Sequence, residues 1–257
     1  MFGWFARSRN SPAASPAMPP AVPDDLRVYA IGDIHGRVDL LEDMLAMITA
    51  DHAAEPVRTE VVFLGDYIDR GPASAAIIER LASPLPDFAS WRFLAGNHED
   101  AMSSVLAGNF ELMSEWIGYG GLETLESYGI SRREMAAGGI ILDNALSRIP
   151  PHHRAFLAAL EHHAVIGDYV FVHAGIRPGV VLARQDRRDL LSIRQPFLDD
   201  DRDHGFVVVH GHSISDTVET RHNRIGIDTG AYRSGRLTAL VLEGASRRLL
   251  QTGTGTG

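Results

Sequence analysis

Three times in its first hundred residues the chain repeats one pattern: a short apolar run, a Gly followed by Asp or Asn, then a helix-like segment. Leu26–Ile31 stops at Gly32-Asp33 and leads into residues 38–50, where apolar side chains recur at helical spacing. Glu60–Leu64 stops at Gly65-Asp66 before a helix-like Ser74–Leu81, and Trp91–Ala95 stops at Gly96-Asn97. Strand, polar turn and helix in repetition describe βαβ units, which demand a parallel sheet with right-handed crossovers. In such sheets the working groups sit just past the carboxyl ends of the strands. Here each of those positions holds a side chain able to bind a metal.

Residues 99–160 read as helical, broken at Trp116, Tyr119, Gly120 and Gly121 and restarted by Pro150-Pro151. The Gly pair reads equally as a substrate-facing loop or a helix terminus. The last third returns to β-rich runs: Tyr169–Val172, Phe206–Val209, Arg224–Ile227 and Leu237–Leu242. With little helix between them, they predict a second, mixed sheet packed face to face on the first. The expected class is α/β, one domain over residues 26–250. Before it, residues 1–25 include the Pro/Ala/Ser stretch 11–23, expected to be an extended linker. After it, residues 251–257 form a Gly/Thr tail expected to be frayed.

Composition narrows the chemistry. The absence of Cys excludes disulfides, thiolate metal sites, iron–sulfur clusters and thiol nucleophiles. Twelve His keep open a metal site built from imidazole and oxygen ligands. A net charge of −9 disfavours non-specific binding to nucleic acid or anionic membrane, so no nucleic-acid partner is expected. An anionic substrate must be held by local positive charge instead. No apolar run approaches the roughly 18–20 residues of a membrane span. The opening MFGWFARSRN has too short an apolar part, with Arg on the wrong side, for a secretory signal. The cytoplasm is the expected compartment.

Asp33 and His35 alternate on an extended turn and so face the same way, able to chelate one cation. Asp66 follows the second strand with two oxygens that can bridge two cations, and Asn97 follows the third with a neutral amide oxygen. His173 closes the run YVFVH, and His212 follows FVVVH through Gly211. Six O/N ligands predict a dinuclear site for Mn, Fe or Zn, with Mn preferred. Two divalent cations against two carboxylates and a bridging hydroxide leave about +1 to attract a phosphate.

Gly-Asp-Ile-His-Gly (32–36), Gly-Asp-Tyr-Ile-Asp-Arg-Gly (65–71) and Gly-Asn-His-Glu (96–99) strongly resemble the signature of the calcineurin-like metallophosphoesterases. The Asp-Arg-Gly ending is similar to the phosphoprotein phosphatase branch, nearest to bacterial and bacteriophage-lambda-type serine/threonine phosphatases. The likeness continues through Val-His-Ala-Gly (172–175), Gly-His-Ser (211–213) and Ile-Asp-Thr-Gly-Ala (227–231). The resemblance implies a central β-sandwich of two mixed sheets flanked by helices. It also implies two divalent metal ions and hydrolysis of phosphate esters by in-line attack of a metal-activated hydroxide. Carried over by position, Asp33 and His35 would hold the first metal, Asp66 would bridge, and Asn97, His173 and His212 would hold the second. His98 would protonate the leaving oxygen, Asp69 would orient it, and Arg70 would bind the phosphate, with Asn97 beside it. A second phosphate-binding Arg is expected upstream of the Gly-His motif. Arg194 in LLSIRQPFL fits, although Ser192 stands where the family has Trp.

Phosphodiesterase relatives often carry Gly-His-x-His. Ile214 occupies the second His position here and favours phosphomonoesters. The leading expectation is therefore a serine/threonine phosphoprotein phosphatase. The alternative is a phosphorylated small-molecule hydrolase, such as a diadenosine tetraphosphatase-like enzyme. A catalytically silent binding module is argued against by the intact ligand, acid and Arg positions. Of the other histidines, His152, His153, His162 and His163 are expected to be solvated, and His204 lies in the acidic run DDDRDHG. His210, directly before the ligand pair, reads as an ordinary strand-end histidine, with an orienting role as the alternative. Asp228 is placed to support the site from behind.

Overall fold

The structure, a computed structural model, describes residues 18–253. Its first half contains β1 (Leu26–Ile31), α1 (Val38–Ala54), β2 (Arg58–Phe63), α2 (Ser74–Ala82) and β3 (Ala89–Phe93). A helical stretch follows: α3 (Asn97–Leu106), α4 (Met113–Trp116), α5 (Leu122–Ser127), α6 (Arg132–Ala137), α7 (Gly139–Leu146) and α8 (Pro151–Ala158). Next come β4 (His163–Ile166), β5 (Tyr169–Val172), α9 (Arg187–Ser192), β6 (Val207–His210), β7 (Glu219–Thr220) and β8 (Arg224–Gly226). The chain closes through α10 (Ala231–Ser234), β9 (Thr238–Glu243) and β10 (Ser246–Gln251).

These strands form two mixed sheets of five, ordered β10-β9-β1-β2-β3 and β4-β5-β6-β8-β7. Strand alternation explains how they stack. In β1, Val28 and Ala30 point into the space between the sheets and meet Phe171, Val209 and Ile225. Tyr29 and Ile31 point the other way, onto Leu41, Met44 and Ile48 of α1. Every residue of β1 is buried because both faces are covered, the pattern expected of a central strand in a layered α/β fold. The second sheet repeats this: Val172 and Val208 pack outward on Leu190, Ile193 and Phe197. The result is a β-sandwich flanked by helices, as expected.

Several expectations need correction. Leu237–Leu242 was expected in the second sheet, but β9 pairs antiparallel with β1 and belongs to the first. β10, within and beyond the expected end of the domain, pairs with β9. Thr252, expected in a frayed tail, is buried, and its hydroxyl accepts from the Leu237 amide at 2.9 Å. Residues 254–257 lie outside the described residues. At the other end, the expected linker is packed where it is described. Val22 is buried and its amide donates to Gly244 O at 3.0 Å, and the Tyr169 hydroxyl donates to Pro20 O at 3.1 Å. Residues 1–17 lie outside the described residues. Among the described residues no helix is long and apolar enough to cross a membrane.

Candidate metal centre

The loops after β1, β2, β3, β5 and β6 converge at one end of the sandwich. Their backbones are unusual there. Among the described residues, His35, Asp66, Asp69, Arg70 and His212 are the non-glycine residues with left-handed φ, between 47° and 72°. Each such residue costs on the order of 1–3 kcal/mol and persists only where its surroundings over-determine it. All five are residues that the motifs single out. Two glycines in the same motifs allow the carboxylates to approach. A Cβ on Gly96 would stand 2.1 Å from Asp66 Oδ1, and one on Gly211 would stand 2.0 Å from Asp33 Oδ1.

Asp66 is at the centre. Its Oδ2 lies 3.4 Å from His35 Nε2 and 3.8 Å from His98 Nε2, while its Oδ1 lies 3.4 Å from His173 Nε2. One carboxylate thus presents its two oxygens to two separate groups of imidazoles: His35 and His98 on one side, His173 and His212 on the other. Asn97 Oδ1 is 3.1 Å from His173 Nε2. Asp33, 179 positions from His212 in sequence, accepts from the His212 amide at 2.9 Å. The six candidate ligands are therefore brought together.

Burial pushes the His35 and His212 imidazoles down to about 3 and lowers His173 as well, so all three are neutral and able to ligate. Asp66 is buried too, which opposes its charge, but the imidazoles of His173, His98, His35 and His212 outweigh that and keep it ionised. Asp33 goes the other way: burial, then the Asp228 and Asp66 carboxylates, raise it well above the usual carboxylate range. Its Oδ1 is buried with no hydrogen-bond partner, as is Asp228 Oδ2. Buried anionic oxygens without donors are costly unless a cation meets them. These residues fit a pair of divalent cations.

His98 stands beside this cluster. Its Nδ1 is 2.5 Å from Asp69 Oδ2, which also accepts from Trp116 Nε1 at 2.8 Å. The Thr124 hydroxyl donates to Asp69 Oδ1 at 2.6 Å, and the Asp69 amide donates to the hydroxyls of Thr124 and Ser74. Burial opposes charge on His98, but Asp66 and Asp69 together overcome it and raise its proton affinity. The imidazole is thus oriented at Nδ1 and primed to carry a proton on Nε2. Arg70 spans both rings, 2.9 Å from His35 Nε2 and 3.1 Å from His98 Nε2, with Tyr232 beneath its guanidinium at 5.0 Å. Arg194 lies at the rim, where its Nη2 donates to His212 O at 3.4 Å.

Sequence reasoning left out three contributors. Glu99, in the first turn of α3, accepts from four backbone amides: Asp66 and Gly96 through Oε2, Tyr67 and Ile68 through Oε1. It therefore clamps the Asp66 loop. Burial and the nearby Asp66 push its carboxyl up to about 8, against the pull of those donors. Trp116 and Thr124, from α4 and α5, hold Asp69 across 47 and 55 positions. The Glu at the end of Gly-Asn-His-Glu was visible; nothing in the local sequence tied Trp116 or Thr124 to Asp69. Asp228 stands close enough for its carboxylate to raise Asp33. His210, by contrast, contacts Gly211 O through Nδ1 and Phe197 through its ring, and touches none of the candidate ligands' side chains. His210 is fully buried and its ring, held at about 4 chiefly by that burial, is neutral. His153, expected to be solvated, is buried.

A groove of about 850 Å³ opens over the centre, lined by Arg70, Asn97, His98, Tyr119, Arg188 and Arg194 among others. Tyr119 is 53% exposed with its ring 6.4 Å from that of His98, whereas Trp116 is buried. Arg187 in the same wall is paired with Asp100 at 2.5 Å. Among the described residues the guanidinium groups of Arg188 and Arg194 have no carboxylate partner, although the Arg188 amide donates to Asp186 Oδ1 at 2.8 Å.

Residues 26–236 match the family model described as calcineurin-like phosphoesterase. A symmetrical bis(5'-nucleosyl)-tetraphosphatase from Acidovorax sp. strain JS42 is 31% identical over 153 residues, 60% of this chain and 45% of that protein. The chain thus spans less than half the length of that curated relative. Among solved structures, a candidate diadenosine tetraphosphatase superposes with a TM-score of 0.61 at 20% identity, covering 93% of this chain and all of that one. A serine/threonine phosphatase from Saccharomyces cerevisiae superposes at 0.52 with 15% identity, covering 91% and 83%. At those identities the structures share a fold with this chain.

Proposed function

Because this chain belongs to the calcineurin-like phosphoesterase family, we propose that it is a dimetal phosphohydrolase whose substrate is a nucleoside polyphosphate of the bis(5'-nucleosyl)-tetraphosphate type. The observation that carries the chemistry is Asp66, one carboxylate shared between two imidazole groups, with the His98–Asp69 pair alongside. Asp33, His35 and Asp66 would hold one cation, and Asp66, Asn97, His173 and His212 the other, with Mn²⁺ the preferred ion. When bound, such a pair supplies a nucleophile near neutral pH and polarises the phosphoryl oxygens. His98 delivers the proton from Nε2 to the leaving oxygen, while Asp69 holds Nδ1. Arg70 contributes a planar fork to the non-bridging oxygens, and Arg194, in the lining of the same groove, would meet the same phosphate. Both act on charge that grows in the transition state.

The groove supports the choice of substrate. Tyr119 offers an exposed aromatic face beside the acid, suited to stacking a nucleobase. Arg188, whose guanidinium has no carboxylate partner, suits a further phosphate of the chain. The 31% identity to the Acidovorax enzyme points the same way.

A second reading, a serine/threonine phosphoprotein phosphatase, is favoured by Ile214 in place of a second ligating His. Turnover of diadenosine tetraphosphate, a phosphoserine peptide and bis-p-nitrophenyl phosphate by the Mn²⁺-loaded protein separates the two. The proposed reading expects the dinucleotide to have the highest kcat/KM, and Tyr119→Ala to lower that value about tenfold, the scale of one base–aromatic stack. Phosphopeptide turnover that exceeds it and ignores Tyr119→Ala would establish the second reading instead.

A further inference from the structure

A second set of ligating groups meets on the helical side of the molecule, apart from the residues of the metal centre. Glu79, in the second half of α2, places one oxygen, Oε2, 2.9 Å from His152 Nε2 and 2.8 Å from His153 Nε2. Both histidines belong to the first turn of α8, and their rings stand edge to face with centroids 4.4 Å apart. The His153 side chain is buried, and its Nδ1 lies 2.8 Å from the hydroxyl of Tyr128, just past the end of α5. The side chains of His152 and Glu79 are 54% and 56% exposed, so one side of the cluster is open to water.

We propose that Glu79, His152 and His153 form a separate binding site for a transition-metal cation of the zinc class. The donor set is suitable. Two imidazole nitrogens and a carboxylate oxygen suit Zn²⁺, and three protein ligands leave a fourth position for water. The spacing is suitable too. Tetrahedral ligands at about 2.0–2.1 Å from zinc stand about 3.3 Å apart, so the observed separations need open by only about half an ångström.

Orientation is the third argument. A ligating His usually has its other ring nitrogen held by a second group, and the Tyr128 hydroxyl holds Nδ1 of His153 in that way. A hydroxyl can either donate or accept, so it supports this ring whether Nε2 carries a proton or a metal. A simple ion pair between α2 and α8 would need one His; here two converge on a single oxygen.

The position gives such a cation a structural consequence. Helices α2 and α5, joined to α8 at this cluster, supply Ser74 and Thr124 to the Asp69 amide. A cation at Glu79, His152 and His153 therefore braces the helices that hold Asp69 without entering the reaction.

Zn²⁺ titration of the full chain by calorimetry, with melting temperature followed in parallel, tests the site. The full chain is expected to bind one equivalent more than His152→Ala or Glu79→Gln, and both variants are expected to lose part of the zinc-induced rise in melting temperature. Both should fold, as judged by circular dichroism, and keep Mn²⁺-dependent p-nitrophenyl phosphatase activity. The same one-equivalent difference is expected between Asp66→Asn and the double variant Asp66→Asn/His152→Ala, which separates failure of this site from failure of the dimetal centre. Equal zinc stoichiometry and an equal melting shift in the full chain and His152→Ala would overturn the proposal.

Discussion

Asp69→Asn removes one negative charge from a fully buried side chain that accepts from His98, Trp116 and Thr124 at 2.5, 2.8 and 2.6 Å. The fold can absorb the change. An asparagine keeps its carbonyl toward His98 and Trp116 and turns its amide toward Thr124 Oγ1. That hydroxyl then donates to Ser74 Oγ, 2.9 Å away. What is lost is the ionic part of the His98 contact. Hydrogen bonds to charged groups contribute about 1.5–3 kcal/mol against about 0.5–1.5 for neutral ones, a difference of roughly 1–2 kcal/mol. At 1.36 kcal/mol per factor of ten, this is about five- to thirtyfold in rate, below the 10²–10⁴ typical of losing a general acid outright. The effect should depend on the leaving group. With Mn²⁺ loaded, kcat/KM for phenyl phosphate should fall by that factor and that for p-nitrophenyl phosphate by less than about threefold. The pH profile supplies a second sign. Asp69 helps to raise the proton affinity of His98. Without its charge His98 loses its proton at lower pH, and the alkaline limb of the phenyl phosphate profile moves toward acid. Equal slowing of both substrates, with the alkaline limb unmoved, would refute the role assigned to the pair.

Two further outcomes are expected. At pH 9, above the raised value of its carboxyl, Glu99→Gln places an amide group against backbone donors that the carboxylate accepts, and each buried unsatisfied donor costs about 1–3 kcal/mol. A net loss of about 2–4 kcal/mol should lower the melting temperature by about 5–15 °C, and an unchanged melting temperature would show that the clamp is dispensable. Metal-induced stabilisation should also depend on pH. Burial, the first cause for both, raises Asp33 well above the usual carboxylate range and Asp228 to about 6. With raised values the folded state binds more protons than the unfolded state, so metal-free stability falls as pH rises through that range. Cations favour the deprotonated oxygens, so the Mn²⁺-induced rise in melting temperature should grow between pH 5 and pH 7.5; a rise that is flat or shrinks over that interval would contradict the carboxylate account.

The sequence displayed the parts of this molecule that are local. Gly-Asp and Gly-Asn at three strand ends marked both the βαβ repeat and the side chains that meet in space, because a strand end sets the turn and the turn sets the ligand. Contacts made across the chain were hidden. Thr238–Glu243 reads like any apolar strand, and nothing in its pattern says that it joins β1 rather than β6. Trp116 and Thr124 hold Asp69 from helices whose packing no local spacing encodes. His153 looked like a surface histidine because its neighbours are polar, yet Tyr128 and Glu79 enclose it from other helices. The left-handed backbones of His35, Asp66, Asp69, Arg70 and His212 were also invisible, since none is glycine and each is held in that form by tertiary contacts. The packing of Ala21 and Val22 was hidden because Pro/Ala/Ser composition says nothing of the bonds that Ala21 makes with Asp168, in the turn between β4 and β5, and Val22 with Gly244.

Anomalous diffraction from crystals of the full chain grown with Mn²⁺ tests the centre most directly. Two peaks about 3.5–4 Å apart, each within bonding distance of a different Asp66 oxygen, are the expected result. A single peak, or two peaks that both leave Asp66 uncoordinated, would contradict a shared carboxylate as the core of the site.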